Sequence, residues 1–492
     1  MTRLRRRELL GSVGAALSMP LVLRPGTARA QTGRLSTLDM PSQRMPLKLD
    51  DTVAEGYRRD VLVRWGDRVT YDAAVWSPYE PTPSAAATQF GWDARICGMV
   101  VPPIAADGVP RALLAVAHPW VEPILAFPDG RDRPGVSAMM QGASLLNIAR
   151  QGGRWTVVDG GYQSRRLTAG TLCRMSGPAA GAVGGLVQGL LGPTGGCATP
   201  WGTILLGEGD PMPWLARLAG LDQRFSQPNR FGWVAELDPL DPGALPCKRT
   251  ALGRFPHADL AASSTRDGRA AIYMADAGPG NFLFRFLSDG PGAERDALDR
   301  GEMSVAQMSG SRLRWLPLPR DPALLFDPTE AARALGATGF DLPSGLVVDP
   351  GNGVLYMACR GRARVPQAPP GQRPVGGSGG GMGMVLEVAP DGGDHASSTG
   401  TANILLVGGS PEAHLAPLAR SWPTAPASVS VDGAGRLWVG SDHRGRPLDT
   451  PDVLFGVDTA GQGRGLALPI YAAPIGAAIG GSAMTPDGTT LF

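Results

Sequence analysis

Glycine and proline interrupt almost every stretch of twenty residues, and that spacing constrains this chain more than any other feature. Together they make 115 of its 492 residues, about 23%. Inside a helix, Gly costs roughly 1 kcal/mol and Pro about 3 kcal/mol relative to Ala, so long helices and coiled coils are excluded. The apolar content of 43% nevertheless argues against low-complexity disorder. What remains is a folded chain of short elements and many turns. At roughly 100–200 residues per domain the length allows two to four domains, and a single large β architecture fits as well.

The turns have a pattern. Leu346–Asp349 runs through Pro350–Gly353 into Val354–Met357, and Val429–Asp432 runs through Gly433–Gly435 into Arg436–Val439. A third turn at Asp267-Gly268 leads into Ala271–Met274, and a fourth at Asp487-Gly488 into Thr489–Phe492. Each joins Asp/Gly turn chemistry to a strand rich in β-branched or aromatic residues. Such a hairpin, recurring at irregular intervals, predicts an all-β chain built as a β-propeller with long loop and short helical insertions. A pair of β-sandwiches is the alternative. Residues 328–335 predict a short helix, residues 31–50 an extended arm, and the Gly/Pro-rich stretch 365–384 a loop.

The first 30 residues have the three parts of an export signal: Arg3 to Arg7, an apolar run from Leu9 to Leu23, and a small-residue cleavage site at Ala28-Arg29-Ala30. The pair Arg6-Arg7 ahead of that run is similar to a bacterial twin-arginine signal. This predicts a periplasmic or secreted protein that folds before export. The segment holds six arginines and one glutamate, so its removal turns the formal charge of +2 into −3. A mildly acidic chain with no basic tract has no electrostatic footprint for nucleic acid. The uncharged run 466–484 contains Pro469, Pro474, Gly476, Gly480 and Gly481, so it reads as strand and loop. No membrane anchor is therefore expected after signal cleavage. Five cysteines without a CxxC exclude a zinc ribbon or thioredoxin-like motif, and an odd number leaves at least one thiol unpaired.

Several segments together resemble the PhoX-type alkaline phosphatase family of exported bacterial proteins, from about Leu62 to Phe492. They are WTVVDGGYQSRRLTAGTLCRMSGPAAG (Trp155–Gly181), TPWGT (Thr199–Thr203), RFGWVAELDPLDP (Arg230–Pro242) and KRTALGRFPH (Lys248–His257). RWGD (Arg64–Asp67), LGATGFDLP (Leu335–Pro343) and TPDGTTLF (Thr485–Phe492) follow the same order. The resemblance implies a six-bladed propeller with a cluster of calcium and ferric iron at one end of its channel, hydrolysing phosphate monoesters. Hard cations demand several carboxylate oxygens, and would neutralise the phosphoryl group and activate the attacking oxygen.

Position by position, that equipment is missing. The Asn-His-Glu of the family is Ala117-His118-Pro119 here, and the last acid of an FG-x-NND pattern is Arg95. A Cys expected before TPWGT is Thr194, with Cys197 displaced by three positions. Cys-Glu-Glu-Asn becomes Gly207-Glu208-Gly209-Asp210. Further acids are replaced by Ala258, Ser344, Ala427 and Ala478. The glycines, prolines and tryptophans that shape turns remain while the acids are lost, which points to a scaffold kept for folding. Of residual metal positions, Glu208 and Asp210 are the candidates. Asp259, Asp276, Asp442, His118, His257 and His443 are further acids and imidazoles to place, and each also reads as a surface, turn or core residue. Asp259 lies one residue beyond a lost Glu, and on a regular strand would face the other way.

The sequence thus predicts a PhoX-like propeller with an impaired site, acting as a binding or structural module for a small-molecule or protein ligand. No cofactor is expected; iron is disfavoured and calcium is the one cation retained as an alternative. That alternative is a divergent calcium-dependent phosphomonoesterase, and a third is another hydrolase activity, such as lactone hydrolysis. Replacing Arg6 and Arg7 together with Lys should hold the precursor in the cytoplasm, which cell fractionation reads directly. Unimpaired export of that variant would remove the twin-arginine assignment.

Overall fold

In the computed structural model the described residues are 45–362, 381–409, 423–443 and 450–492. The export signal, most of the arm and residues 365–380 of the predicted loop lie outside them. Met384, predicted as loop, begins a strand.

Five antiparallel meanders follow one another. The first comprises Arg95–Val100, Arg111–His118, Gly142–Gln151 and Arg154–Val157, with Arg165–Leu167 added on Gly142–Gln151. The second comprises Pro193–Ala198, Ile204–Glu208, Val234–Leu237 and Cys247–Arg249, extended by Leu172–Ser176 in parallel and then Leu186–Gln188. The third runs through His257–Ser264, Arg269–Asp276, Leu283–Pro291, Gly301–Ser309 and Arg312–Pro317. The fourth is Pro343–Val348, Leu355–Cys359, Met384–Pro390 and Thr399–Val407, and its last strand pairs with Arg312–Pro317 to join the two into one nine-stranded sheet. The fifth is Pro426–Val431, Arg436–Ser441, Val453–Asp458 and Ala467–Ala472, whose outer edge is closed by Thr52–Val53 from the N-terminal side.

The first strand of each meander is a sheet edge, and consecutive first strands pack side by side, so they line a common axis as in a propeller. Cores fill the wedges between sheets. Leu113, Ala115 and Leu145 meet Ile204 and Leu206; Leu205 and Val234 meet Leu260, Ile272 and Phe284. Tyr273 and Ala275 meet Leu346, Leu355 and Met357; Tyr356, Ala358 and Val385 meet Val429, Leu437 and Val439. Because each sheet is covered on both faces, central strands read as unbroken apolar runs such as ALLAVA (Ala112–Ala117) and AAIYMA (Ala270–Ala275), rather than alternating.

Between the fifth and first meanders lies the C-terminal segment. Ile479, Met484 and Leu491 pack on Trp438, Leu454 and Ile470, while Ala483 and Phe492 pack on the face of Ala112, Leu114, Val116 and Ile148. Its own backbone pairing is short and antiparallel: Ala483 and Phe492 exchange N–H···O bonds, Met484 faces Leu491, and Thr485 N donates to the Thr490 carbonyl. The expected hairpin at Asp487-Gly488 is present as a short one, closed by those bonds across the turn, and strand pairing among the described residues does not count six blades. The other three hairpins and the helix, Pro328–Ala334, form as expected.

Short helices Pro83–Ala86, Pro123–Ala126, Pro134–Met140 and Met212–Leu218 make a cap, three of them with Pro as their first residue, where its missing N–H costs nothing. They bury Phe127, Trp214, Phe225 and Phe231. Two cap insertions leave from His118 and Glu208, the ends of second strands, so the cap stands at one end of the ring.

Candidate functional site

At that same end every inner strand starts and every second strand stops. The terminal pairs are Arg95–Ala117, Pro193–Glu208, His257–Asp276, Pro343–Cys359 and Pro426–Ser441. Immediately inside this rim each inner strand carries one extra residue, a β-bulge: Cys97, Thr194, Ala258, Ser344 and Ala427. Bulges re-aim side chains and are frequent beside active sites. Four of the five are positions where the sequence comparison expected an acid or a cysteine. Those four departures therefore fall on one ring.

Arg95 occupies that ring. Its Nη2 donates to the Ser344 carbonyl and, at 3.4 Å, to the Ala427 carbonyl, and lies 3.9 Å from Asp259 Oδ2. Asp259 accepts from Gly196 N at 3.0 Å and Leu346 N at 2.9 Å. The bulge at Ala258 takes up the one-residue shift that would turn Asp259 away on a regular strand, and leaves it bridging the strands on either side. Burial raises the Asp259 pKa, while Arg95 and the two backbone donors pull it back.

Glu208 is fully buried, and its carboxylate is surrounded by donors. Oε1 accepts from Leu191 N at 2.8 Å, Oε2 from Gly232 N and Trp233 N at 2.9 and 3.0 Å, and Lys248 Nζ sits 2.9 and 3.0 Å from the two oxygens. Lys248, one of two lysines in the chain, also donates to the Arg230 carbonyl and faces the Phe231 ring. Asp210 stands apart on the surface, accepting from Met212 N. Gly209 between them has no room for a side chain: a Cβ there would lie 2.6 Å from Thr194 Cγ2. The Thr194 methyl and the Gly209 hydrogen thus belong together, and the two departures from the family pattern are one packing change. Cys197 packs with the core beside Leu205 instead of joining the ring.

The other candidates serve the backbone. His118 places Nδ1 on the Trp92 carbonyl and Nε2 2.8 Å from Ser144 Oγ, and burial, with Arg166 beside it, holds its pKa well below the usual value. His257 places Nδ1 on the Glu208 carbonyl, and burial lowers its pKa to about 4. Asp276 accepts from Gly278 N at 2.6 Å and Phe282 N at 3.4 Å, and burial raises its pKa to about 6. Asp442 faces Arg360 at 3.6 Å, and His443 is held by Asp452 and the Thr424 carbonyl. Sequence reasoning missed the roles of Lys248, Asp452 and Arg360; Lys248 opens the segment KRTALGRFPH, but the partners of all three come from other strands or loops.

The residues of the ring do not fit a calcium or iron cluster. Among the described residues, no group of three or more His, Cys, Asp or Glu comes together to hold a metal. A guanidinium lies where cations would need anionic oxygens. Burial pushes the Cys97 thiol up to about 12, with Asp259 adding to the rise.

Fold and rim together define a propeller of the kind that carries its site at one end of the channel. The family model for the alkaline phosphatase PhoX matches residues 43–492, and the chain belongs to that family. A structure of Pseudomonas fluorescens PhoX, in complex with the transition-state analogue vanadate, superposes with a TM-score of 0.82 at 26% identity over 92% of each chain. NanB sialidase from Streptococcus pneumoniae matches 97% of this chain and 73% of its own at 9% identity, with a TM-score of only 0.32. No curated protein matches in sequence.

These buried groups make a pH prediction with a definite sign. His118 and His257 stay neutral in the fold while the unfolded chain protonates near pH 6.5, so they remove stability as pH falls from about 6.5 to 4. Asp276 takes up its proton near pH 6 in the fold and near 3.9 unfolded, so it adds stability over the same range. Asp276→Asn should therefore make the loss of stability between pH 7 and 4.5 steeper than in wild type, measured by urea midpoints. An equal or shallower slope contradicts this assignment.

Proposed function

We propose that this chain is an exported PhoX-family propeller whose channel mouth serves binding or scaffolding rather than phosphate-ester hydrolysis. The observation that carries the reading is Arg95, lying against the carbonyls of Ser344 and Ala427 at the ring of bulges. Phosphoryl transfer works by positioning and charge neutralisation around an activated nucleophile. One guanidinium already facing Asp259 supplies part of the charge and no nucleophile. Thr194, the hydroxyl on the ring's second strand, donates to the His257 carbonyl and has no carboxylate hydrogen-bonded to it. The ligand is a small molecule or a protein, and export follows the twin-arginine route to the periplasm or beyond. Among the described residues no helix is long and apolar enough to cross a membrane.

What weighs against a calcium site at Glu208 and Asp210 is the set of donors around Glu208 and the separation of Asp210 to the surface. Gly209→Glu alone would not rebuild a site, because its first side-chain carbon already collides with Thr194. The test is hydrolysis of a chromogenic aryl phosphate at alkaline pH, with calcium and iron supplied to the mature protein. The expected turnover is far below about 1 s⁻¹, the lower end of the ordinary enzyme range. Turnover at or above that value would overturn the reading in favour of the calcium-dependent phosphomonoesterase.

A further inference from the structure

Among the described residues no backbone hydrogen bond joins one inner strand to the next, so side chains make the polar links around the axis. Thr194 Oγ1 donates to the His257 carbonyl, linking the second strand to the third. Asp259 accepts from Gly196 on the second and Leu346 on the fourth. Ser344 Oγ donates to the Pro426 carbonyl at 3.3 Å, linking the fourth to the fifth, and Ser428 Oγ to the Ile479 carbonyl at 3.2 Å, linking the fifth to the C-terminal segment.

Arg95 is different in kind. It belongs to the first inner strand, whose neighbours are the second strand and the C-terminal segment, where Cβ atoms built at Gly480 and Gly481 would touch Ala94 and Ile96. Its bonds go instead to the fourth and fifth strands, so the side chain spans the channel. There it meets Asp259, itself bonded to the second and fourth strands. Two adjacent side chains of opposite charge, 20% and 11% exposed, thereby touch all five inner strands. Partial burial strengthens the attraction between them relative to a surface pair.

We propose that Arg95 and Asp259 form an ionic tie across the channel that holds the ring of inner strands closed at the capped end. The carbonyls of Ser344 and Ala427 and the amides of Gly196 and Leu346 are then satisfied by this pair, and losing either member leaves the other charged and poorly paired. The tie stands on these bonds alone and not on the absence of phosphatase activity. A wild type active on aryl phosphates would leave it intact.

The experiment is a double-mutant cycle with Arg95→Met, Asp259→Asn and the pair, read by thermal melting and by hydrogen exchange of peptides spanning 193–198, 343–348 and 426–431. Arg95→Met should lower Tm by about 5 °C and speed exchange of the 343–348 and 426–431 peptides at least tenfold, and the double variant should lose less than the sum of the singles. Arg95→Lys keeps the charge on a single ammonium with a different reach, and should fall between wild type and Arg95→Met; it supplies the exchange readout if Arg95→Met does not fold. Unchanged exchange in both peptides with Arg95→Met, or with Arg95→Lys in its place, would overturn the tie. So would strictly additive losses in the cycle.

Discussion

Around the axis, the edge strands of five meanders meet without pairing to one another, and each meander is buried on both faces by its neighbours. Two-sided burial explains the unbroken apolar runs of the central strands. It also explains the small residues at the narrow end of each wedge, where a side chain would meet the next sheet. The cost falls on the inner strands, whose outward backbone groups have no strand partner. Buried polar groups must find hydrogen bonds, and here Thr194, Asp259, Ser344, Ser428 and Arg95 provide them.

The same geometry gives the channel mouth its character. A bulge just inside the rim of every inner strand places one extra residue of each at a common level. In a chain with acids at those positions the ring would gather carboxylates. In this chain it holds Cys97, Thr194, Ala258, Ser344 and Ala427, with Arg95 reaching across. The acids and imidazoles that survive have other work: Glu208 gathers Lys248 and three backbone amides, Asp276 holds its own turn, and His118 and His257 each hold a carbonyl. Their persistence is explained by folding.

Much of the fold was legible in the sequence because its signals are local. Asp-Gly turns between β-rich segments marked three hairpins, and the run PTEAARA marked its helix. The terminal hairpin at Asp487-Gly488 formed too, but it is too short to make a sheet of its own, which turn chemistry cannot reveal. The site was legible only as a set of departures. That Arg95 brought a positive charge to a usually acidic position was visible, but its carbonyl partners lie 249 and 332 residues away. Glu208 looked like a residual ligand because its donors lie 17 to 40 residues along the chain. Asp259 looked misdirected because a bulge changes which face a residue occupies, and no feature of HADLAASS announces one.

Anomalous diffraction tests the central claim, that a guanidinium stands at the channel mouth in place of bound cations. Crystals of the mature protein would be grown with calcium and iron, and data collected across the iron edge. The account predicts continuous density from Arg95 to the Ser344 and Ala427 carbonyls and no anomalous peak at the ring of bulges. An iron or calcium peak at that ring, with Arg95 displaced from those carbonyls, would contradict it.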